Sequence, residues 1–274
     1  MSNKIRLDLL LVERGLIETR EKAKRTIMAG LVYSEQVRLD KPGVKVDMEI
    51  PITVKGKLIP YVGRGGLKLE KALNTFKLDV TGKIMIDVGS STGGFTDCAL
   101  QNGVKLSYAV DVGYNQLDWK LRNDDRVVVM ERTNFRYVTP DMLTKGIPTF
   151  ATIDVSFISL KLILPVLSKL LGSCSDVVAL IKPQFEAGRE QVGKKGIVRD
   201  PLIHKQVLTN ITTFALQEGY QIKELTFSPI TGGDGNIEFL VHLLWNESQK
   251  EGNSMNDVEI DSVVEEAHLQ HTHV

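Results

Sequence analysis

Residues 84–97 read IMIDVGSSTGGFTD, an apolar run followed by a glycine-rich turn. The run predicts a buried strand, and the turn predicts a loop that opens a helix. Glycine allows a backbone to adopt positive φ and to approach a ligand closely. In sheets covered by helices on both faces, ligands bind beyond the carboxyl ends of the strands, where this loop falls. The segment therefore predicts a Rossmann-like α/β domain with a cofactor site.

The spacing of the loop glycines restricts the cofactor. Gly89, Gly93 and Gly94 form neither the G-x-G-x-x-G pattern of dinucleotide sites nor the Gly-Lys-Ser/Thr ending of a P-loop. The carboxylate of Asp87 precedes them, where it would repel phosphate and favour a cationic ligand such as S-adenosyl-L-methionine. Asp111 ends the next predicted strand, where an acid can accept the hydroxyls of an adenosine ribose. The alternative is an ordinary tight turn with a helix-capping aspartate.

From Arg64 onward, strand-like and helix-like patterns alternate. Strands are predicted at 83–88, 106–111, 127–130, 149–155, 177–182, 222–228 and 238–244. Helices are predicted at 66–76, 160–171 and 202–218. This alternation predicts a mostly parallel sheet covered on both faces.

The first sixty residues have a different pattern. Two helices are predicted within residues 5–28, with Thr19 as an N-cap, and four short strands at 31–33, 37–39, 44–46 and 50–54. The net charge of the whole chain is zero, but residues 1–60 hold twelve Lys/Arg and eight Asp/Glu, a net of +4. Residues 247–274 hold one Lys and seven Asp/Glu, a net of −6. A small basic α+β unit therefore precedes the larger domain.

Four charged residues near predicted strand ends can perform proton chemistry. Asp154 and Lys182 end predicted strands, Glu238 opens the last strand, and Lys68 lies on the helix before the first. A neutral lysine can remove the proton of a ribose 2′-hydroxyl, while carboxylates orient the lysines. For any one of these residues, an ordinary surface ion pair is the competing interpretation.

Five motifs together resemble a known family. Residues 5–54 look like an S4-type RNA-binding domain, and residues 63–245 resemble the FtsJ-like RNA methyltransferases. The motifs are RLDLL at 6–10, TREKAKR at 19–25, GRGGLKL at 63–69, DVGSSTGGFTD at 87–97 and IKPQFE at 181–186. The combination is similar to the TlyA family. It implies an S4 domain at 1–57, a linker at 58–62 and a methyltransferase domain at 63–246. The tail at 247–274 departs from the family, and its acidic, weakly apolar composition predicts a flexible segment, within which 258–269 could form a short helix.

The resemblance also implies an activity, which is 2′-O-methylation of cytidine in bacterial ribosomal RNA, 16S or 23S or both. The family's Lys-Asp-Lys-Glu tetrad falls on Lys68, Asp154, Lys182 and Glu238. Cofactor contacts are expected at Asp87, Gly89, Ser91, Gly93, Gly94, Phe95, Asp111 and Asn134. RNA contacts are expected at Arg6, Arg20, Lys22, Lys24, Arg25 and Arg64. The expected partners are ribosomal RNA or ribosomal subunits, with no membrane and no obligate protein partner.

Two other functions remain open at this point. The chain could be a ribosome-assembly factor that binds RNA with little or no methylation, or a membrane-active hemolysin, a name that family members often carry. No signal peptide and no apolar run of membrane-spanning length is visible, so we expect a cytoplasmic location. Cys98 and Cys174 form no disulfide framework, and the histidines lack metal-ligand spacing, so no metal is expected.

Overall fold

The computed structural model describes residues 4–28, 30–55, 59–193, 195–248 and 257–272. Two compact units divide the chain, one from Met1 to Arg64 and one from Gly65 to Val274. Residue 58 of the predicted linker, and residues 249–256 and 273–274 of the predicted tail, lie outside the described residues.

The first unit is a small α+β fold. Its elements are β1 (Lys4–Arg6), α1 (Leu7–Glu13), α2 (Arg20–Met28), β2 (Val32–Ser34), β3 (Val37–Arg38), β4 (Lys45–Asp47) and β5 (Thr53–Val54). The two predicted helices and four predicted strands are confirmed, and the hydroxyl of Thr19 accepts from the backbone N–H of Lys22, as an N-cap does. Strand β1, which pairs antiparallel with β4, was not predicted because three residues carry too little pattern.

The second unit contains one seven-stranded sheet with helices on its faces. Its elements are α3 (Gly65–Thr75), β6 (Ile84–Val88), α4 (Gly94–Gln101), β7 (Leu106–Val110), α5 (Trp119–Arg122), β8 (Val127–Met130), β9 (Phe150–Ile153), α6 (Leu164–Leu167), β10 (Ser175–Ile181), α7 (Pro183–Glu186), α8 (Pro201–Gln217), β11 (Tyr220–Phe227), β12 (Phe239–Trp245) and α9 (Asp257–Thr272). The strand order is β11-β12-β10-β9-β6-β7-β8. Strands β6 to β10 pair in parallel, whereas β12 runs antiparallel to both of its neighbours. The predicted mostly parallel sheet is confirmed.

The strands of this sheet are apolar along nearly their whole length because both faces are covered. On one face the side chains of Ile86, Ile153 and Ala179 are 0% exposed and belong to one continuous core, and on the opposite face those of Met85 and Val178 are also 0% exposed. Burial on both faces explains why these strands read as apolar runs and do not alternate.

The helix predicted at 160–171 is shorter and broken. A 3₁₀ turn spans Leu160–Leu162, and the four-residue α6 follows at Leu164–Leu167. Pro165 lies in the first turn of α6, where a residue without an N–H is tolerated. The proline therefore starts a new helix and does not continue the preceding turn.

The acidic tail is partly a helix, which corrects the expectation of flexibility for residues 257–272. The side chains of Ile260, Val264 and Ala267 on α9 are at most 2% exposed. Their spacing of four and three residues forms one apolar stripe, and α9 packs with it against α8 and β11. Acidic residues on the other faces of α9 concealed this stripe in the composition.

In the part of the chain that the structure describes, none of the helices combines the length and the hydropathy that a membrane span requires.

Two histidines join α9 to α8. The Nδ1 atom of His204 lies 2.9 Å from the Nε2 atom of His268. Burial, followed by the charge of His268, lowers the pKa of His204 to about 4, and burial also lowers the pKa of His268. The carboxylate of Asp200 acts on both histidines in the opposite direction. Both rings are therefore neutral at pH 7 and can share one hydrogen bond.

Acidification from pH 6.5 to 5 should lower the free energy of unfolding. In the unfolded chain both histidines bind protons near their ordinary pKa of 6.5, whereas the folded pair resists protonation. The stabilisation is fully present above pH 6.5 and is lost as the pH falls towards 4. Denaturant unfolding at several pH values measures it, and His204→Gln should flatten the profile in this window. Equal slopes for wild type and variant would contradict the assignment.

Candidate active site

The loop after β6 follows the predicted strand–turn–helix path. Gly89 has a φ of 85°, and a Cβ atom there would lie 2.4 Å from the backbone oxygen of Asp154. Gly93 has a φ of 93°, and a Cβ atom there would lie 2.2 Å from a methyl group of Leu121. Both positions therefore require glycine for backbone conformation and for space. The loop passes close to the end of β9 before it opens α4.

Asp111 follows β7 and lies beside this loop. Its two carboxylate oxygens accept from the backbone N–H groups of Ser91 and Gly113, each at 2.7 Å. An ionised carboxylate has about four acceptor positions, so Asp111 can still accept from hydroxyl groups of a ligand. The bond to Ser91 also fixes the glycine loop against the end of β7.

Asp111 lines a largely apolar cavity of about 460 Å³. The size falls in the range of small-molecule sites in proteins. Its apolar walls include Val88, Val110, Phe135 and Ile163, and its polar groups include Asn134. The side-chain oxygen of Asn134 accepts from the backbone N–H of Arg136, which fixes the orientation of that amide. The cavity thus combines an apolar wall with a few fixed polar groups.

A second, polar cavity of about 250 Å³ contains all four residues of the predicted tetrad. The Nζ atom of Lys68 lies 2.6 Å from a carboxylate oxygen of Glu238 and 3.9 Å from one of Asp154. The Nζ atom of Lys182 lies 2.6 Å from the other oxygen of Asp154 and 3.0 Å from the hydroxyl oxygen of Ser156. The charged groups form a continuous series of ion pairs in the order Glu238–Lys68–Asp154–Lys182.

The sheet topology explains how these residues meet. Asp154 directly follows β9 and Lys182 directly follows β10, so both stand at the carboxyl edge of parallel strands. Glu238 directly precedes β12, and because β12 is antiparallel its start lies at the same edge. Lys68 reaches the edge from α3. Lys68, Lys182 and Glu238 are at most 9% exposed, so each charge depends on its partners.

The two cavities adjoin one another, because Gly89, Ser91, Asp154 and Ser156 line both. A molecule in the apolar cavity could therefore present a group to the tetrad at this junction. Of the other predicted cofactor residues, Gly94 and Phe95 line the polar cavity, and Asp111 and Asn134 line the apolar one.

Asp87 and Gly93 are not among the described residues that line either cavity. The structure therefore does not bring Asp87 to either cavity, and its direct contact with a cofactor stays a prediction. Its carboxylate is fully buried and accepts from the hydroxyls of Thr96 at 2.7 Å and Thr152 at 2.8 Å. Burial raises its pKa to about 6 despite these bonds. Asp87 connects β6 to α4 and β9, while Gly93 makes room for Leu121, so both act on the shape of the loop.

Sequence reasoning missed Ser156, Phe157 and the pair Gly232 and Gly233. Phe157 has a φ of 63° and is 90% exposed, and its ring lies 4.9 Å from that of Phe185. Phe157 also lines the apolar cavity. The available signal was a large apolar side chain three residues after the strand-end Asp154, outside the predicted strand, where an exposed apolar group can mark a binding position.

Two of the predicted RNA contacts in the first unit, Arg6 and Arg20, pair with Asp8. Its buried carboxylate accepts from the guanidinium groups of Arg6 at 2.9 Å and Arg20 at 3.0 Å. These bonds, Arg6 foremost, lower the pKa of Asp8 to about 2. The two arginines remain 40% and 49% exposed in their side chains. The structure therefore holds two cations in fixed, accessible positions.

Two other predicted RNA-binding cations, Lys22 and Lys24, lie in exposed ion pairs. Lys22 pairs with Glu18, which precedes α2, and Lys24 pairs with Glu21 on α2, and the two glutamates are at least 79% exposed. Such exposed pairs contribute little to stability and exchange readily for other partners. Arg25 and Arg64 are exposed at the surface.

The chain is similar to known proteins in both of its units. The FtsJ-like methyltransferase family matches residues 61–244, and the S4 domain family matches residues 5–49. YqxC of Bacillus subtilis, described as an rRNA methyltransferase, is 70% identical over 97% of this chain and 95% of its own. The 16S/23S rRNA (cytidine-2′-O)-methyltransferase TlyA of Mycobacterium tuberculosis is 40% identical over 91% of this chain and 92% of its own. A solved Streptococcus thermophilus structure, described as a hemolysin, is 56% identical with a TM-score of 0.79 and covers 100% of this chain and 98% of its own.

The chain belongs to the FtsJ-like methyltransferases that carry an S4 domain at the N-terminus, and within that class to the TlyA family. The resemblance and the fold class that the sequence predicted are confirmed, and so is the assignment as a methyltransferase.

Gly89→Ala should destabilise the protein more than Gly82→Ala. Both glycines have positive φ, 85° and 73°, so both substitutions incur a left-handed strain of about 1–2 kcal/mol. Only at position 89 would the new Cβ meet backbone, since nothing lies within 4 Å of it at position 82. Thermal unfolding of the two variants measures the difference. Equal destabilisation of the two variants would show that the close approach of Gly89 to Asp154 is not a constraint.

Proposed function

We propose that this chain transfers a methyl group from S-adenosylmethionine to the 2′-hydroxyl of a cytidine in bacterial ribosomal RNA, 16S or 23S or both. The observation that carries the proposal is the series of ion pairs Glu238–Lys68–Asp154–Lys182, which lines the polar cavity and whose Asp154 also lines the Asp111 cavity. The names of the YqxC and TlyA relatives support ribosomal RNA as the substrate, and that of TlyA supports cytidine. We assign RNA binding to residues 1–57 and methyl transfer to residues 63–246, acting in the cytoplasm.

The apolar cavity fits S-adenosylmethionine. Asp111 would accept the ribose hydroxyls, and apolar walls such as Val110 and Phe135 would contact the adenine. Gly89 lets the backbone approach the junction of the two cavities, where a side chain would collide with Asp154. When bound, S-adenosylmethionine supplies an electrophilic methyl group. The glycine spacing without a P-loop ending agrees with a ligand that has no phosphate.

The tetrad would accept the proton of the ribose hydroxyl and stabilise the charge that results. The amine of Lys182, in its neutral form, accepts that proton, and the carboxylate of Asp154 at 2.6 Å stabilises the ammonium that results. The hydroxyl of Ser156, at 3.0 Å, holds the same amine in orientation. Lys68 bridges Asp154 and Glu238, so it holds the carboxylate of Asp154 in place. In this assignment, each contact in the series Glu238–Lys68–Asp154–Lys182 has one role.

The RNA would be held by both units of the chain. Arg6 and Arg20, fixed by Asp8, would contact phosphates of structured RNA. The target nucleotide must leave its stack for its 2′-hydroxyl to enter a cavity of this size. The exposed ring of Phe157, beside the junction, offers a face on which a base can stack.

Substitution of Lys182 tests the proposed base. Lys182→Ala should retain RNA binding and lose methyl transfer by a factor of roughly 10²–10⁴, the usual contribution of a general base. Lys182→Arg keeps a cation for Asp154 but cannot release its proton, so it should be inactive as well. Mapping of 2′-O-methyl sites in ribosomal RNA, from cells with and without the protein and with each variant, measures the effect. Lys105→Ala, at an exposed lysine before β7, is the control.

Two outcomes would contradict this proposal in different ways. If the Lys182→Arg variant still methylates RNA, Lys182 is not the proton acceptor, although the chain is still a methyltransferase. Identical 2′-O-methyl maps with and without the protein would support the alternative of an RNA-binding assembly factor.

Substitution of Arg20 tests the RNA contact of the first unit. Arg20→Ala should weaken RNA binding and reduce the slope of log affinity against log salt by about 0.7–0.9 for each phosphate that is no longer neutralised. The rate at saturating RNA should stay the same, because Arg20 lies in the unit that carries no tetrad residue. Arg126→Ala removes another half-exposed arginine that is held by an aspartate, and serves as the control. An unchanged slope would exclude Arg20 from the interface.

A further inference from the structure

The loop between β11 and β12, residues 228–238, belongs to the polar cavity. Gly232 and Gly233 line that cavity, and the loop ends at Glu238 of the tetrad. A Cβ atom at Gly232 would lie 2.7 Å from a carboxylate oxygen of Glu238. The backbone of the loop therefore packs directly on that carboxylate. A shift of the loop would move Glu238 and, through their 2.6 Å bond, Lys68.

Two sets of hydrogen bonds hold this loop. Near one end, the side chain of Asn236 accepts from the backbone N–H of Val198 and donates to the backbone oxygen of Gly196. At the other end, the N–H of Ser228 donates to the backbone oxygen of Glu238 at 2.8 Å. The position of Ser228 thus constrains the backbone of Glu238 through one hydrogen bond.

Ser228 is in turn held by α9. The Nε2 atom of His271 lies 2.9 Å from the backbone oxygen of Ser228. A carbonyl oxygen can only accept, so this nitrogen carries the proton and donates. The ring of His271 also contacts the edge of Phe227, with centroids 6.0 Å apart. The last turn of α9 therefore contacts the start of the 228–238 loop through one hydrogen bond and one ring contact.

The rest of α9 is anchored independently of this contact. Its apolar stripe is buried, Asp261 pairs with Lys205 of α8 at 2.9 Å, and His268 bonds to His204. The helix also lies beyond residue 244, where the matched methyltransferase family ends. A rigid element outside the family's catalytic fold is thus attached to a loop inside its active site.

We propose that α9 positions the tetrad, with His271 as the positioning residue. His271 fixes the carbonyl of Ser228, Ser228 fixes the backbone of Glu238, and Glu238 orients Lys68. This inference rests on the proposed methyl transfer. Asp111 and the apolar cavity lie on the other side of the junction, so cofactor binding does not depend on α9.

A pair of substitutions at His271 tests the inference. His271→Leu removes the donor, and the rate at saturating substrates should fall roughly three- to tenfold, as expected for one neutral hydrogen bond. The affinity for S-adenosylmethionine, measured by calorimetry, should not change. His271→Gln places an amide N–H near the position of Nε2, so it should restore the rate to within about twofold. Leu269→Ala, at a 65% exposed position of α9, is the control and should behave as wild type.

A wild-type rate for His271→Leu would overturn the proposal, and so would a His271→Gln variant as slow as His271→Leu. If Lys182→Ala is inactive while His271→Leu is fully active, only this inference fails. If wild type transfers no methyl group, the proposed function itself fails.

Discussion

The carboxylate of Asp154 lies between two lysine ammonium groups, and much of the larger unit serves to hold it there. One oxygen faces Lys182 and the other faces Lys68, which is shared with Glu238. Lys68, Lys182 and Glu238 are buried, and buried charges are tolerated only when they are paired, so removal of Asp154 would leave its lysine partners uncompensated. The backbone of Asp154 packs on Gly89, so the same residue also sets the path of the glycine loop.

The acids of the site divide into those that face a cavity and those that shape one. Asp111 and Asp154 line cavities, and each keeps hydrogen bonds that fix its direction. Asp87 stands two residues before the loop glycine Gly89 but points into the protein, where two threonine hydroxyls hold it. The pKa of Asp87 is raised because its carboxyl group is buried at this position. Sequence proximity to the glycine loop alone did not distinguish these roles.

The zero net charge of the chain says little about RNA, because opposite charges are segregated along it. The first unit concentrates cations, and Asp8 turns two of them into an ordered pair. The acidic C-terminal segment instead forms a helix, and its apolar stripe packs on the sheet far along the chain from the basic unit. An acidic composition thus concealed a structural element that contacts the loop carrying Glu238.

The sequence by itself determined the alternation of strands and helices, the strand–turn–helix at residues 84–97 and the presence of lysines and acids at strand ends. Each of these features depends on local periodicity and spacing, which can be read from neighbouring residues. Only the tertiary structure decided which of these residues meet. Lys68 and Glu238 are 170 positions apart, and they touch because β12 enters the sheet antiparallel. The inward direction of Asp87 and the docking of α9 were likewise fixed by packing, since a side chain's partner depends on the elements that cover it and not on its neighbours in the chain.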